Sequence, residues 1–427
     1  MSAARTAAEP FDDFVGQSLE EAAFLWKRWE SDLDHPTRNL DEAWIWTEDR
    51  LHGALDGVRV AGERIVQVTE EALQGEHAAM LAAAAHVLAA QSPVRAREAL
   101  ATAVRQAGGV RLEAIARGIE TAALDGTFAP VAAALAGGGP EHAAALCRVK
   151  SFRRSTPGRE LLVALESQMP RLEAQALRSL ATSADESHLP HLERGLSSGH
   201  MEVRRAAIAT GIRRRMPAAW DAAVQLAGRR DRESAPFLPA LAALGTPAEQ
   251  QLVISALREP ALRRAGLFAL AYVGTPEAVE ICLTGMRNAV LARCAGEAYC
   301  AITGAELVRD GLAAPEPPEE SAPPFEADAL DADLVPAASD LWPLPDIDAV
   351  RRHWQGIQGR FHAAARHWRG RPFDPGVLID ALESGPMLRR GDLAQELAIR
   401  SNGRHDVETR AFAQVQRGAM SAARGAA

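Results

Sequence analysis

Lysine is almost missing from this chain of 427 residues: only Lys27 and Lys150 occur, so nearly all of its positive charge is arginine. Aromatic residues are also scarce, at 5%, and there are two tyrosines. That scarcity argues against a strand-rich fold, because aromatic and β-branched residues favour sheets. No run approaches the roughly 18 uninterrupted apolar residues of a membrane span. The polar start, Met1 to Pro10, lacks the apolar stretch of a secretory signal. The four cysteines, Cys147, Cys282, Cys294 and Cys300, form no CxxC pair, which argues against zinc and suits a reducing compartment. A cytoplasmic protein without a cofactor or a membrane partner is the expectation. The formal charge of −9 argues against nucleic acid as a partner, since such binders carry a basic face.

Familiar catalytic signatures are absent as well. Gly137-Gly138-Gly139-Pro140 is followed by Glu-His rather than Lys-Ser/Thr, so it reads as a link between helices and not a phosphate loop. There is no HExxH. His188 and His191, with Glu186 and Glu193 nearby, have ligand-like spacing but read as polar residues beside a turn. His353, His362 and His367 read as partly buried histidines, with no carboxylate placed to orient them.

Alanine and leucine fill the space left by the missing residues, and both are strong helix formers. They recur in a repeat of about thirty residues. Leu244-Gly245-Thr246-Pro247 and Val273-Gly274-Thr275-Pro276 each separate two apolar stretches. Glycine suits a helix C-terminus, threonine caps the next helix and proline suits its first turn. Stepping back from Pro276 reaches Pro247, Pro217, Ser187, Pro157, Thr127 and Pro93 in near-constant register. The stretches opening at Val203-Arg204-Arg205, Leu262-Arg263-Arg264 and Leu291-Ala292-Arg293 match as starts of equivalent first helices. Such pairs cannot bury their apolar faces alone and must stack. The expected fold is therefore all-α, a solenoid of about seven helix pairs over residues 76–312.

The ends depart from the period. Residues 1–75 predict a helical cap: one helix opening at Ser18-Leu19-Glu20-Glu21 and running through Trp29, one from Leu40 to Leu55, a link at Asp56-Gly57, and a third through Leu73. Trp26, Trp29, Trp44 and Trp46 are expected to cover the first repeat. Residues 313–345 read as an acidic, Pro-rich linker, with ten acidic residues and no Lys or Arg between Pro315 and Asp348. It is expected to be extended and able to fold back on Arg213, Arg214 and Arg215. Residues 346–427 read as a small helical module: helices over Asp346 to Ile357, Pro375 to Leu382, Pro386 to Ile399 and Val407 to Val415, with a loose tail from Met420. Trp354, Trp368 and Arg371 are its candidate partner-binding residues, since Trp and Arg dominate interface energetics.

The repeats of residues 76 to 304 resemble HEAT-like repeats of the bilin-lyase type. A second likeness rests on Glu20-Glu21-Ala22-Ala23-Phe24-Leu25-Trp26, Leu55 to Gly62, Ala295-Gly296-Glu297-Ala298-Tyr299, Ile302-Thr303-Gly304, Val350 to Trp354 and Gly370-Arg371-Pro372. These stretches resemble an uncharacterised proteobacterial family of HEAT-like repeat proteins, some encoded near type VI secretion genes. The resemblance implies a non-catalytic scaffold or adaptor with a protein partner, in its more specific form a type VI secretion accessory factor. The alternative it implies is a bilin-lyase-like enzyme with a concave pocket, which would show His, Cys, Asp or Tyr clustered at equivalent repeat positions. No such pattern is visible in the sequence.

Overall fold

A computed structural model describes residues 9–90, 94–122, 128–183, 185–316, 338–363 and 365–425. The turn signals at Pro93 and Thr127 and most of the acidic linker, residues 317–337, lie outside them. The described chain is mostly helical, with one two-stranded hairpin, His367–Trp368 against Arg371–Pro372. It divides into two compact units that are discontinuous in sequence, whereas four consecutive segments were expected. Unit 1 holds the chain up to Asp34, Leu40–Ala222 and Ser401–Ala419; unit 2 holds His35–Asn39, Ala223–Arg400 and the residues from Met420.

In unit 1 the long helix Glu9–Asp32 packs on Asp49–Arg59 and on Ala78–Ala89. From there the first helices of each pair lie side by side in chain order: Ala78–Ala89, Gly109–Thr121, Pro140–Phe152, Pro170–Ser179 and Met201–Arg213. The partner helices Val94–Gln106, Ala129–Ala136, Arg159–Leu165 and Leu189–Leu196 fall between them in the chain. Small side chains make this stacking possible. Every residue from Leu81 to Ala89 is buried, including His86, as expected for a helix packed on all sides. Gly118 allows a close approach of Gly109–Thr121 to Ala78–Ala89, because a Cβ there would collide with the Ala82 carbonyl oxygen.

Two expected helix boundaries shift, each for a local reason. Ser18 does not cap a helix; its hydroxyl donates to the Phe14 carbonyl at 2.9 Å inside a helix that has already begun. Gly57 is no link but lies within Asp49–Arg59, where its missing side chain admits Ser18. Between Leu40–Ala43 and Asp49–Arg59 the helix widens to a π-turn, Trp44–Glu48. Such a turn accommodates an extra residue, and here Thr47 and Glu48 are buried. Thr47 Oγ1 donates to Asp32 at 2.5 Å, and Glu48 accepts from Trp29 Nε1 at 3.0 Å. Trp26 and Trp29 are buried as expected of a cap, while Trp46 is 62% exposed.

In unit 2 the first helices Leu238–Leu244, Arg263–Val273 and Ala292–Thr303 again pack in chain order, with Pro247–Ala256 and Pro276–Gly285 as partners. The Thr-Pro punctuation works as anticipated. Thr246 caps Glu249 N–H in a capping box, Thr275 caps Ala278 N–H, and each proline opens its helix. Gly274 and Gly304 end two first helices in the left-handed conformation, at φ 63° and 77°. The hairpin segment docks on those helix ends: His367 N–H donates to Gly274 O, Arg369 N–H to Ala301 O and Gly370 N–H to Ile302 O, each at 2.8 Å. The carbonyls that a helix end leaves unpaired are thereby satisfied. A side chain at either glycine would strike the backbone of His367 or Arg369.

The C-terminal helices Ile347–Ile357, Pro375–Ser384 and Met387–Arg400 match the expected ones. The last differs. Residues 406–412 are not helical, and the final helix is Ala413–Arg424, with Met420 fully buried rather than in a loose tail.

Candidate functional site

The first helices of unit 1 carry a row of charged side chains along one face. Arg117, Arg148 and Arg178 occupy matching positions on Gly109–Thr121, Pro140–Phe152 and Pro170–Ser179, and all three line an open groove of about 510 Å³. The inner part of this groove is held firmly. Glu120 is 4% exposed and pairs with both Arg117, at 3.3 Å, and Arg148. Arg117 also reaches Glu30 at 2.5 Å and sits over the Trp29 ring, 5.1 Å from its centroid. Arg148 donates a further bond to the Glu113 carbonyl at 3.0 Å.

The outer part is looser. Arg171, 60% exposed, pairs with Glu113, and Arg178, 54% exposed, stands 3.7 Å from Glu202. Exposed pairs of this kind contribute little and exchange readily with other partners, about 0–1 kcal/mol each. Groups from another chain can therefore replace them at small cost.

The segment Ser401–Ala419 lies along the same face as a strap. Asp406 pairs with Arg154 at 3.1 Å and with Arg213; Arg410 pairs with Glu30 at 2.8 Å and Asp34 at 3.1 Å. Phe412, 6% exposed, enters a socket of rings: His52 at 4.5 Å between centroids, Trp29 at 4.6 Å, His86 at 5.6 Å and Trp26 at 6.3 Å. Just beyond it, Ala413 N–H donates to the buried Glu48 carboxylate at 2.7 Å. A second cavity, of about 810 Å³, opens beside the strap and is lined by Arg59, His86, Arg153, Arg154 and Phe412.

His86 is the polar member of the socket. Its Nε2 lies 3.0 Å from an Arg59 nitrogen and its Nδ1 3.0 Å from Thr121 Oγ1. Arginine only donates, so Nε2 accepts and Nδ1–H donates to threonine. Burial first, then the neighbouring Arg59 charge, push its pKa down to about 3. The imidazole is thus a neutral structural link at ordinary pH.

The three residues expected to meet a partner are distributed differently. Trp354 and Trp368 are each 2% exposed. Trp354 Nε1 donates to Glu280 at 2.6 Å, and Trp368 packs on Tyr272 at 5.4 Å. Both rings fill the interior of unit 2, so neither is at the surface to anchor a partner. Arg371 is exposed and pairs with Asp380 at 2.6 Å. Nearby, Arg389 is fully buried. It forms a two-pronged pair with Glu297, donates to Phe268 O at 3.1 Å and stacks on the Phe268 ring at 3.9 Å.

His353 bonds Tyr299 at 2.6 Å, and His367 is fully buried. His188 and His191 stand with ring centroids 6.4 Å apart. Among the described residues no group of three or more His, Cys, Asp or Glu is placed to hold a metal ion, and no helix is long and apolar enough to cross a membrane. The charged groove escaped the sequence reading, although Arg117, Arg148 and Arg178 recur with the repeat and were open to notice. Phe412 gives no comparable signal, because nothing in its local sequence tells where its socket lies. Compared with family models, curated proteins and solved structures, the chain finds no match.

Proposed function

We propose that the chain is a non-catalytic scaffold or adaptor that holds a segment of another protein on the first-helix face of unit 1. In this reading the helix pairs are HEAT-like repeats, about seven in the chain. The side-by-side packing of first helices within each unit supports that reading. The observation that carries the functional proposal is the open groove of about 510 Å³, whose outer arginines are exposed and only weakly engaged. Planar guanidinium groups suit carboxylates and main-chain carbonyls, the groups a peptide offers. A role beside a type VI secretion system is the specific form that the family resemblance implies.

The test is affinity purification of the tagged chain from its native lysate, read by mass spectrometry, beside an Arg171→Glu/Arg178→Glu variant. A few stoichiometric partners are expected with the wild type and should be lost from the variant. Partners retained in full by the variant would place the binding surface elsewhere. A preparation with no protein partner but with a bound small molecule would favour the enzyme alternative.

A further inference from the structure

The strap meets unit 1 much as a bound peptide meets its receptor. Asp406, Glu408, Arg410 and Phe412 all engage the face, through an irregular segment that turns at residues 409–410, where Ala411 N–H donates to Glu408 O at 3.0 Å. Glu408 joins Asp406 on Arg154, at 3.4 Å, and the Arg410 carbonyl accepts from Arg117 Nη2 at 2.7 Å. Asn402 accepts from Arg215. Most of these bonds are made by side chains of the first helices or of the loops that end them.

Two features show that the face is adapted to hold a chain. Arg154 and Arg215 both adopt left-handed backbone, at φ 58° and 60°, just past the ends of Pro140–Phe152 and Met201–Arg213. Glycine is the relaxed choice at such positions. Arginine stands there instead, and both side chains grip the strap. The strap also covers the face without filling it, since cavities of about 510 and 810 Å³ remain along it.

We propose that this face is a peptide-recognition groove and that residues 401–419 are its resident ligand. The partner segment carries two carboxylates two residues apart and an aromatic ring four residues beyond the second, the pattern of Asp406, Glu408 and Phe412. It binds by displacing the strap. This inference rests on the scaffold reading and adds the chemistry of the partner and a competitor built into the chain.

The test uses the full-length protein and a fluorescein-labelled synthetic peptide of residues 401–419, followed by anisotropy. Asp406→Lys/Glu408→Lys loosens the strap by reversing its ion pairs with Arg154 and Arg213. The peptide should bind this variant at least tenfold tighter than the wild type, whose groove is occupied. Adding Arg154→Glu/Arg213→Glu should abolish that gain, and a peptide with Phe412→Ala should bind at least tenfold more weakly. Should the charge variant misfold, Phe412→Ala in the chain serves as the loosened form.

A folded, loosened chain that ignores the peptide overturns the proposal. So does one that binds equally well without Arg154 and Arg213, because that attraction would be unspecific. Dimerisation through exchanged straps would overturn it too, by making a second copy the occupant. Partners still captured through Arg171 and Arg178 in any of these cases would leave the scaffold reading standing.

Discussion

Replacing Phe412 with alanine removes the ring that fixes the strap to unit 1. The ring is 6% exposed and meets four others within 6.3 Å. Truncating a buried phenylalanine costs about 3–5 kcal/mol, and each lost aromatic pair accounts for about 0.5–1.5 kcal/mol of ring-specific attraction. The lower end applies here, because the adjoining cavity of about 810 Å³ lets water reach the vacated socket. A loss of about 3 kcal/mol raises the open population of the strap on the order of a hundredfold. Hydrogen exchange across residues 405–417, followed by mass spectrometry, reads that change directly. The first helices beneath should keep their protection, since their own ladders are intact. Acceleration below about tenfold, equivalent to about 1.4 kcal/mol, would show that the socket does not hold the strap and would refute the packing argument.

Three further outcomes follow from the same contacts. Because the His86 pKa is pushed down to about 3 from 6.5, the unfolded chain binds an extra proton between those values. The stability held above pH 6.5 is therefore lost on acidification toward pH 3, by up to about 1.4 kcal/mol per pH unit; His86→Gln should flatten this dependence in denaturant titrations, and an unchanged slope would assign it to other groups. Arg389→Met strands the Glu297 carboxylate and should cost about 3–5 kcal/mol, whereas Arg389→Met/Glu297→Leu should recover most of it; a double variant as unstable as the single one would contradict that account. Gly118→Ala forces a methyl group against the Ala82 carbonyl, and the separation of the two helices should cost about 1–3 kcal/mol, visible as a lower melting temperature.

Local rules made many helix boundaries legible. Thr246-Pro247 and Thr275-Pro276 bring a cap and a preset first turn to their own helices, and Gly274 and Gly304 supply left-handed ends. These effects act within a few residues, so a sequence displays them. The misplacements arise where a tertiary contact overrides a local signal. Ser18 reads as a cap until Gly57 packs against it inside a helix. Residues 407–412 read as helix until Asp406 and Glu408 meet Arg154 and Phe412 enters its socket.

Two of the candidate partner residues were misplaced in the same way, as buried rather than exposed side chains. Trp354 and Trp368 have the composition of an interface anchor, yet Glu280 and Tyr272 claim them for the interior of unit 2. Composition cannot distinguish the two fates of a tryptophan, because burial and binding both reward the same large apolar ring. The same ambiguity hid the charged groove. Its arginines resemble any solvated helix face until stacking sets Arg117, Arg148 and Arg178 side by side.

By itself, then, the sequence determined a helical chain and many of the caps that punctuate it, since propensity, capping and turn chemistry are short-range. Only the tertiary structure decided which tryptophans are core and which charges share a groove. It also decided that residues 401–419 return to a face built nearly two hundred residues earlier, around Arg213. Contacts across such distances depend on how stacked helices place their side chains in space, and no local signal in the chain encodes that placement.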